Sequence, residues 1–237
     1  MSVHRARAKG GDERDTNAST HSHLTGRHLL ALAGPLLWAA LVLFHPMPGE
    51  GGPYEGVKDD VDRWLFVHVG QLVLTPLLFF AVWRLLDGLS SVAATVSRCA
   101  LVVWTVFFSA YDSIQGIATG VLIRYANGLA GEEQAAVAGS LDFLVEDSLL
   151  AGNFSALALI AGAGWLAVAI AAAVALHQAG LGKAVVAAAA LSTVFAAHIA
   201  PAAIGLLALF VAVLLRERSK TNTVATAPSV AQSRTTT

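Results

Sequence analysis

The sequence predicts an all-α integral membrane bundle of six transmembrane helices with both termini cytoplasmic, and three observations support it. Of the 237 residues, 56% are hydrophobic and only 13% charged, where a soluble domain carries about 25% charge. The apolar residues gather in runs long enough to cross a hydrocarbon core as helices, without the strict alternation of barrel strands. The basic residues fall mainly on one side of those runs, the asymmetry of a multi-pass protein in the cell (plasma) membrane. Cys99 is the only cysteine and the net charge is −1. A disulfide scaffold is thereby excluded, and nucleic acid is not an expected partner. The lipid bilayer is the partner the composition implies.

Residues 1–27 are polar, mixed in charge and without apolar period, and read as a disordered cytoplasmic tail. The six-helix domain covers residues 28–218. An apolar run from Leu29 to Phe44 ends at His45-Pro46-Met47-Pro48-Gly49, which lacks a small-x-small cleavage pattern. It reads as an uncleaved first span, 28–45. A Gly/Pro-rich acidic loop follows, with Asp59, Asp60 and Asp62. Span two, 64–85, is bounded by Trp64 at one end and by Trp83-Arg84 at the other.

The third segment, 92–124, is too long for one simple span. Arg98 and Arg124 would bracket about 25 residues with both side chains snorkelling, which puts Asp112 near mid-membrane; a start at Val92 puts it nearer the far end. Residues 127–147 form an amphipathic acidic connector. Span four, 148–177, is rich in Ala and Gly. The remaining apolar stretch is interrupted at His198-Ile199-Ala200-Pro201, where proline removes a helical hydrogen bond. It reads as spans 183–198 and 200–216, with one long kinked helix as the alternative. Residues 219–237 are Thr/Ser/Ala-rich and read as a second disordered cytoplasmic tail.

Six spans put both tails on one side. In that arrangement twelve Lys or Arg lie inside and three outside, while eleven acidic residues lie outside and five inside. This is the positive-inside pattern. Small residues crowd the later spans, and Gly116 and Gly120 form a GxxxG step. Such a step serves either close packing within the chain or a homo-oligomer.

The polar residues inside the spans carry the functional signal. His45, His68, Asp112 and His198 come from different helices and fall in the outer half. His68, Gln71 and Thr75 share a helical face by their i, i+3, i+7 spacing, and Asp112, Gln115 and Thr119 repeat it. Both faces are expected to meet inside the bundle, with His68 as partner of Asp112, because an aspartate facing lipid is costly. Asp142, Glu146 and Asn153 would share a third face if one helix entered span four without a break. A histidine at a helix end also serves as a cap or interfacial residue, and His68 with Gln71 also suits a plain interhelical hydrogen bond.

No HExxH, P-loop, GxGxxG, CxxC or Gly-x-Ser-x-Gly pattern is present. Three functions remain open. One is a non-catalytic membrane subunit or small transporter. Another is a metal-dependent hydrolase or metal-binding protein, with His45, His68, Asp112 and His198 holding a divalent ion such as zinc. In it Gln71, Gln115 and Asn153 would stand behind the ligands, and Asp112 or Glu146 would serve as catalytic base. The third is a haem protein with two outer histidines as axial ligands. The sequence names no substrate.

Overall fold

The computed structural model describes residues 26–46, 51–146, 149–152, 154–196 and 200–225. Among them there is no strand. Helix α1 is Gly26–Leu43. A short α2 (Gly52–Val57) and a 3-10 turn lead into α3 (Val61–Leu85). Helix α4 (Val92–Tyr111) runs through a π-helical segment, Asp112–Ala118, into α5 (Thr119–Ala126). Helix α6 is Gly131–Glu146 and α7 is Ala156–Gln178. Helix α8 (Lys183–Leu191) ends in a 3-10 turn, Ser192–Ala196, before α9 (Ala200–Ala225).

Among the described residues four helices are long and apolar enough to cross a membrane: Gly26–Leu43, Gly52–Leu85, Val92–Ala126 and Ala156–Gln178. Their outward residues, among them Leu37, Val73, Val106 and Ile170, are exposed and apolar. Every backbone group of such a span is satisfied inside its own helix, as lipid requires.

Backbone approach holds the bundle together, because lipid gives apolar side chains no reason to prefer one another. A Cβ on Gly34 of α1 would stand 2.7 Å from the Leu77 carbonyl of α3. One on Gly164 of α7 would meet the Trp104 backbone of α4 at 3.2 Å. Ser97 of α4 donates to the Val168 carbonyl of α7 at 2.8 Å. The core so formed contains Trp38, Trp104, Trp165, Leu78 and Leu206.

Each end of the bundle has its own polar closure. At the basic end Glu217 is buried, with Arg84 at 2.9 Å, His28 at 2.7 Å and Lys220 at 3.0 Å. Burial pushes the Glu217 carboxyl up, but the hydrogen bonds and charges of Lys220 and Arg84 outweigh it and hold it below the ordinary carboxylate range. The acidic end is capped by α2, α5 and α6 around Tyr54, Val57, Ile123 and Leu141. There the Tyr54 hydroxyl donates to Asn127 at 3.0 Å and accepts from Gln134 at 2.8 Å.

Two element boundaries differ from the sequence reading. Helix α7 starts at Ala156 rather than near 148, because Gly152 turns the chain at φ 81° and Ser155 caps the helix by accepting from Ala158 N at 3.3 Å. Asn153, the third residue of the expected Asp142/Glu146 face, lies outside the described residues. Helix α9 continues to Ala225, beyond the expected end at 216; the Glu217–Lys220 pair, one turn apart, and the bonds from Lys220 to Arg84 O and Asp87 brace the extra turns. The third segment is one path from Val92 to Ala126. Its start is set by Ser91, whose hydroxyl accepts from Ala94 N. Residues 1–25 and 226–237, which hold most of both expected tails, lie outside the described residues.

Candidate functional site

Asp112 begins the π-helical segment, and the wider turn decides what it faces. Inserted residues of this kind re-aim side chains and recur at functional sites. Thr119 donates to Ile114 O, five residues back, at 3.2 Å, which marks the widened register. The same stretch brings Gly116 against α3. A Cβ there would lie 2.1 Å from His68 Nδ1, and one on Gly120 would lie 2.6 Å from Leu65 Cδ2. The GxxxG step is thus spent on packing α5 and the π segment against α3 within the chain. Trp64 completes the seam by donating its indole N–H to Gly116 O at 2.7 Å.

On that seam three side chains form a continuous chain. His68 Nδ1 lies 2.6 Å from Asp112 Oδ1, and His68 Nε2 lies 3.2 Å from His45 Nε2. His45 Nδ1 in turn lies 2.7 Å from the carbonyl oxygen of Pro46. His68 is 7% exposed and Asp112 only 2%. The His68 ring is wedged between Trp64 and His45, at centroid distances of 4.5 and 5.1 Å. The second carboxylate oxygen of Asp112 is buried and makes no hydrogen bond.

The chain forms part of the wall of a cavity of about 500 Å³. The other walls are aromatic, with Trp38, Trp104 and Trp165 packed round Phe108 and Phe195 at centroid distances of 4.7–6.1 Å. Gln71 and Gln115 also line it, and the side-chain oxygen of Gln115 accepts from Gly152 N at 2.9 Å. Thr75 and Thr119 contribute nothing to it; each hydroxyl bonds its own helix backbone. Among the described lining residues there is no Ser, Thr or Cys. The hydroxyl among the described lining residues is the phenol of Tyr111, next to Asp112 in the chain.

The structure sorts the sequence candidates. His45, His68 and Asp112 come together, but Asp112 stands behind the His68 ring rather than beside it, because the π turn presents its carboxylate to Nδ1. Among the described residues no three His, Cys, Asp or Glu side chains are grouped to hold a metal ion. His198 and Asn153 lie outside the described residues. Glu146 is exposed at the end of α6 and does not line the cavity. His45 and His68 do not suit a shared haem, since Nε2 atoms 3.2 Å apart leave no room for a macrocycle between two axial ligands.

The tryptophan walls were missed by the sequence reading. A signal for them existed: Trp38, Trp104 and Trp165 sit deep in their helices, whereas tryptophan in membrane proteins favours the interfaces. Comparison with known protein families, curated proteins and solved structures returns no match for this chain.

Proposed function

We propose that the chain is a six-span protein of the plasma membrane, with cytoplasmic termini, that binds a small, largely apolar ligand in its outward-facing cavity. It acts as a ligand-binding subunit rather than as an enzyme. The observation that carries this reading is the cavity itself, with aromatic walls and a polar side that holds His45, His68 and Asp112 together with Gln71, Gln115 and Tyr111. Concave, mainly apolar sites with a few convergent polar groups are the usual form of small-molecule sites. Positive-inside charge and the acidic cap at the cavity end support the outward orientation. The buried core of Leu78, Leu85, Leu176 and Leu209 favours binding over transport, since among the described residues only hydroxyls bonded to helix carbonyls, such as those of Ser97 and Ser192, are buried beyond the tryptophans and short of the Glu217 network at the basic end.

The test uses 1-naphthol, a bicyclic aromatic with one hydroxyl, and the full chain in lipid nanodiscs. The expected result is saturable quenching of tryptophan fluorescence. Gly162 lines the cavity with nothing within 4 Å of an added Cβ, so Gly162→Phe should fill the space and abolish the saturable part. Val121→Phe, at an exposed position, should leave it unchanged. Quenching that is linear, or equal in Gly162→Phe, would overturn the reading.

A further inference from the structure

The proton arrangement along the His45–His68–Asp112 chain leads beyond ligand binding. The Pro46 carbonyl can only accept, so His45 Nδ1 must carry the hydrogen of the 2.7 Å contact between them. An ionised Asp112 likewise only accepts, so His68 Nδ1 carries the hydrogen of the 2.6 Å contact. Each neutral imidazole has then used its one N–H. Both Nε2 atoms are left with lone pairs, and these face each other 3.2 Å apart. Two lone pairs at that distance repel unless a positive centre stands between them, either a further proton that makes one ring an imidazolium or a metal ion.

We propose that His45 Nε2 and His68 Nε2 form a divalent transition-metal site, with zinc the representative ion, at the wall of the cavity. Two nitrogens bound at about 2.0–2.1 Å to a tetrahedral zinc stand about 3.3–3.4 Å apart, close to the separation seen here. Histidines that bind metal through one nitrogen characteristically donate the other N–H to a carboxylate or a backbone carbonyl. Here one histidine does each. Asp112 is thus a positioning residue, not a ligand: it fixes the His68 tautomer and ring direction. The remaining coordination positions open on the cavity and belong to water or to the bound molecule. An ion there would give a largely apolar ligand a single polar anchor, so the site rests on the proposed binding function and specifies its polar end.

The test is titration of the full chain, free of any affinity tag and stripped with chelator, first with Co²⁺ and then with Zn²⁺. The expected result is a saturable cobalt ligand-field band from one site, displaced by zinc. His45→Ala and His68→Ala should each abolish it, while the histidines of the N-terminal tail remain in every variant. Asp112→Asn keeps both ligating nitrogens and should weaken binding about 10–100-fold. Asp112→Glu should recover part of that loss, which a purely structural role would not predict. Gly162→Phe should lose 1-naphthol binding yet keep the cobalt band, so failure of the cavity reading and failure of the metal site are distinguishable. A well-folded wild type with no such band, or a band that survives His45→Ala and His68→Ala together, would overturn the proposal.

Discussion

Replacing Gly116 by alanine puts one methyl group where the structure has no room for it. The new Cβ would lie 2.1 Å from His68 Nδ1, 2.3 Å from Cγ and 2.8 Å from Cβ of the same residue. The ring has no easy retreat, since Trp64 and His45 pack against it. Forcing an extra carbon into a packed core costs about 1–3 kcal/mol. If the ring moves away, Asp112 loses its bond at 2% exposure, and a stranded buried polar group adds about 1–3 kcal/mol. The better helix propensity of alanine returns at most about 1 kcal/mol. A net loss of about 3 kcal/mol is expected. Equilibrium unfolding in mixed detergent micelles, followed by circular dichroism, measures it. Gly139→Ala is the matched control, because an added Cβ there meets nothing within 4 Å on an exposed helix face; it should be neutral or slightly stabilising. Equal stability of the two variants would refute the close approach of the π segment to α3.

Other consequences follow from the same contacts. In a double-mutant cycle, His68→Ala and Asp112→Ala should each destabilise strongly, with the pair less destabilised than the sum by about 0.5–3 kcal/mol; strict additivity would show that they do not touch. Because the Glu217 carboxyl is held below the ordinary value of 4.5, its contribution should be complete above that pH and lost as pH falls through its lower folded value. Glu217→Gln should remove that part of the acid sensitivity, and an unchanged acid profile would contradict the network with Arg84, Lys220 and His28. In a Cys99→Ala background, Glu55→Cys should react with an impermeant thiol reagent from outside the cell and Ser90→Cys only after permeabilisation; the reverse would invert the topology.

What the sequence made legible was whatever depends on hydropathy and helical period. The apolar runs located the long apolar helices, though not α2 and α6, which lie in the acidic loop and connector; the shared spacing of His68/Gln71/Thr75 and Asp112/Gln115/Thr119 pointed the two polar faces at each other. The pairing of His68 with Asp112 was expected from that spacing and is present at 2.6 Å. The π turn was not legible, since a widened turn changes no residue type and breaks the very period being used. Without it Asp112 reads as a ligand beside His68 rather than as a carboxylate behind it. The break before α7 rests on one glycine conformation and one serine cap, both easily lost within an Ala/Gly-rich run. The aromatic cavity depends on where three helices cross, which no single-helix period encodes.

The central claim is the continuous chain from the Pro46 carbonyl through His45 and His68 to Asp112. Nitrogen-15 NMR of histidine-labelled protein in nanodiscs reads it most directly. The account predicts that His45 and His68 both carry hydrogen on Nδ1, strongly deshielded at His68 by the Asp112 carboxylate, with the two unprotonated Nε2 atoms close enough for a through-space nitrogen–nitrogen correlation. Loss of the deshielded His68 signal in Asp112→Asn would complete the assignment. A His68 protonated only on Nε2, with no correlation to His45, would contradict it.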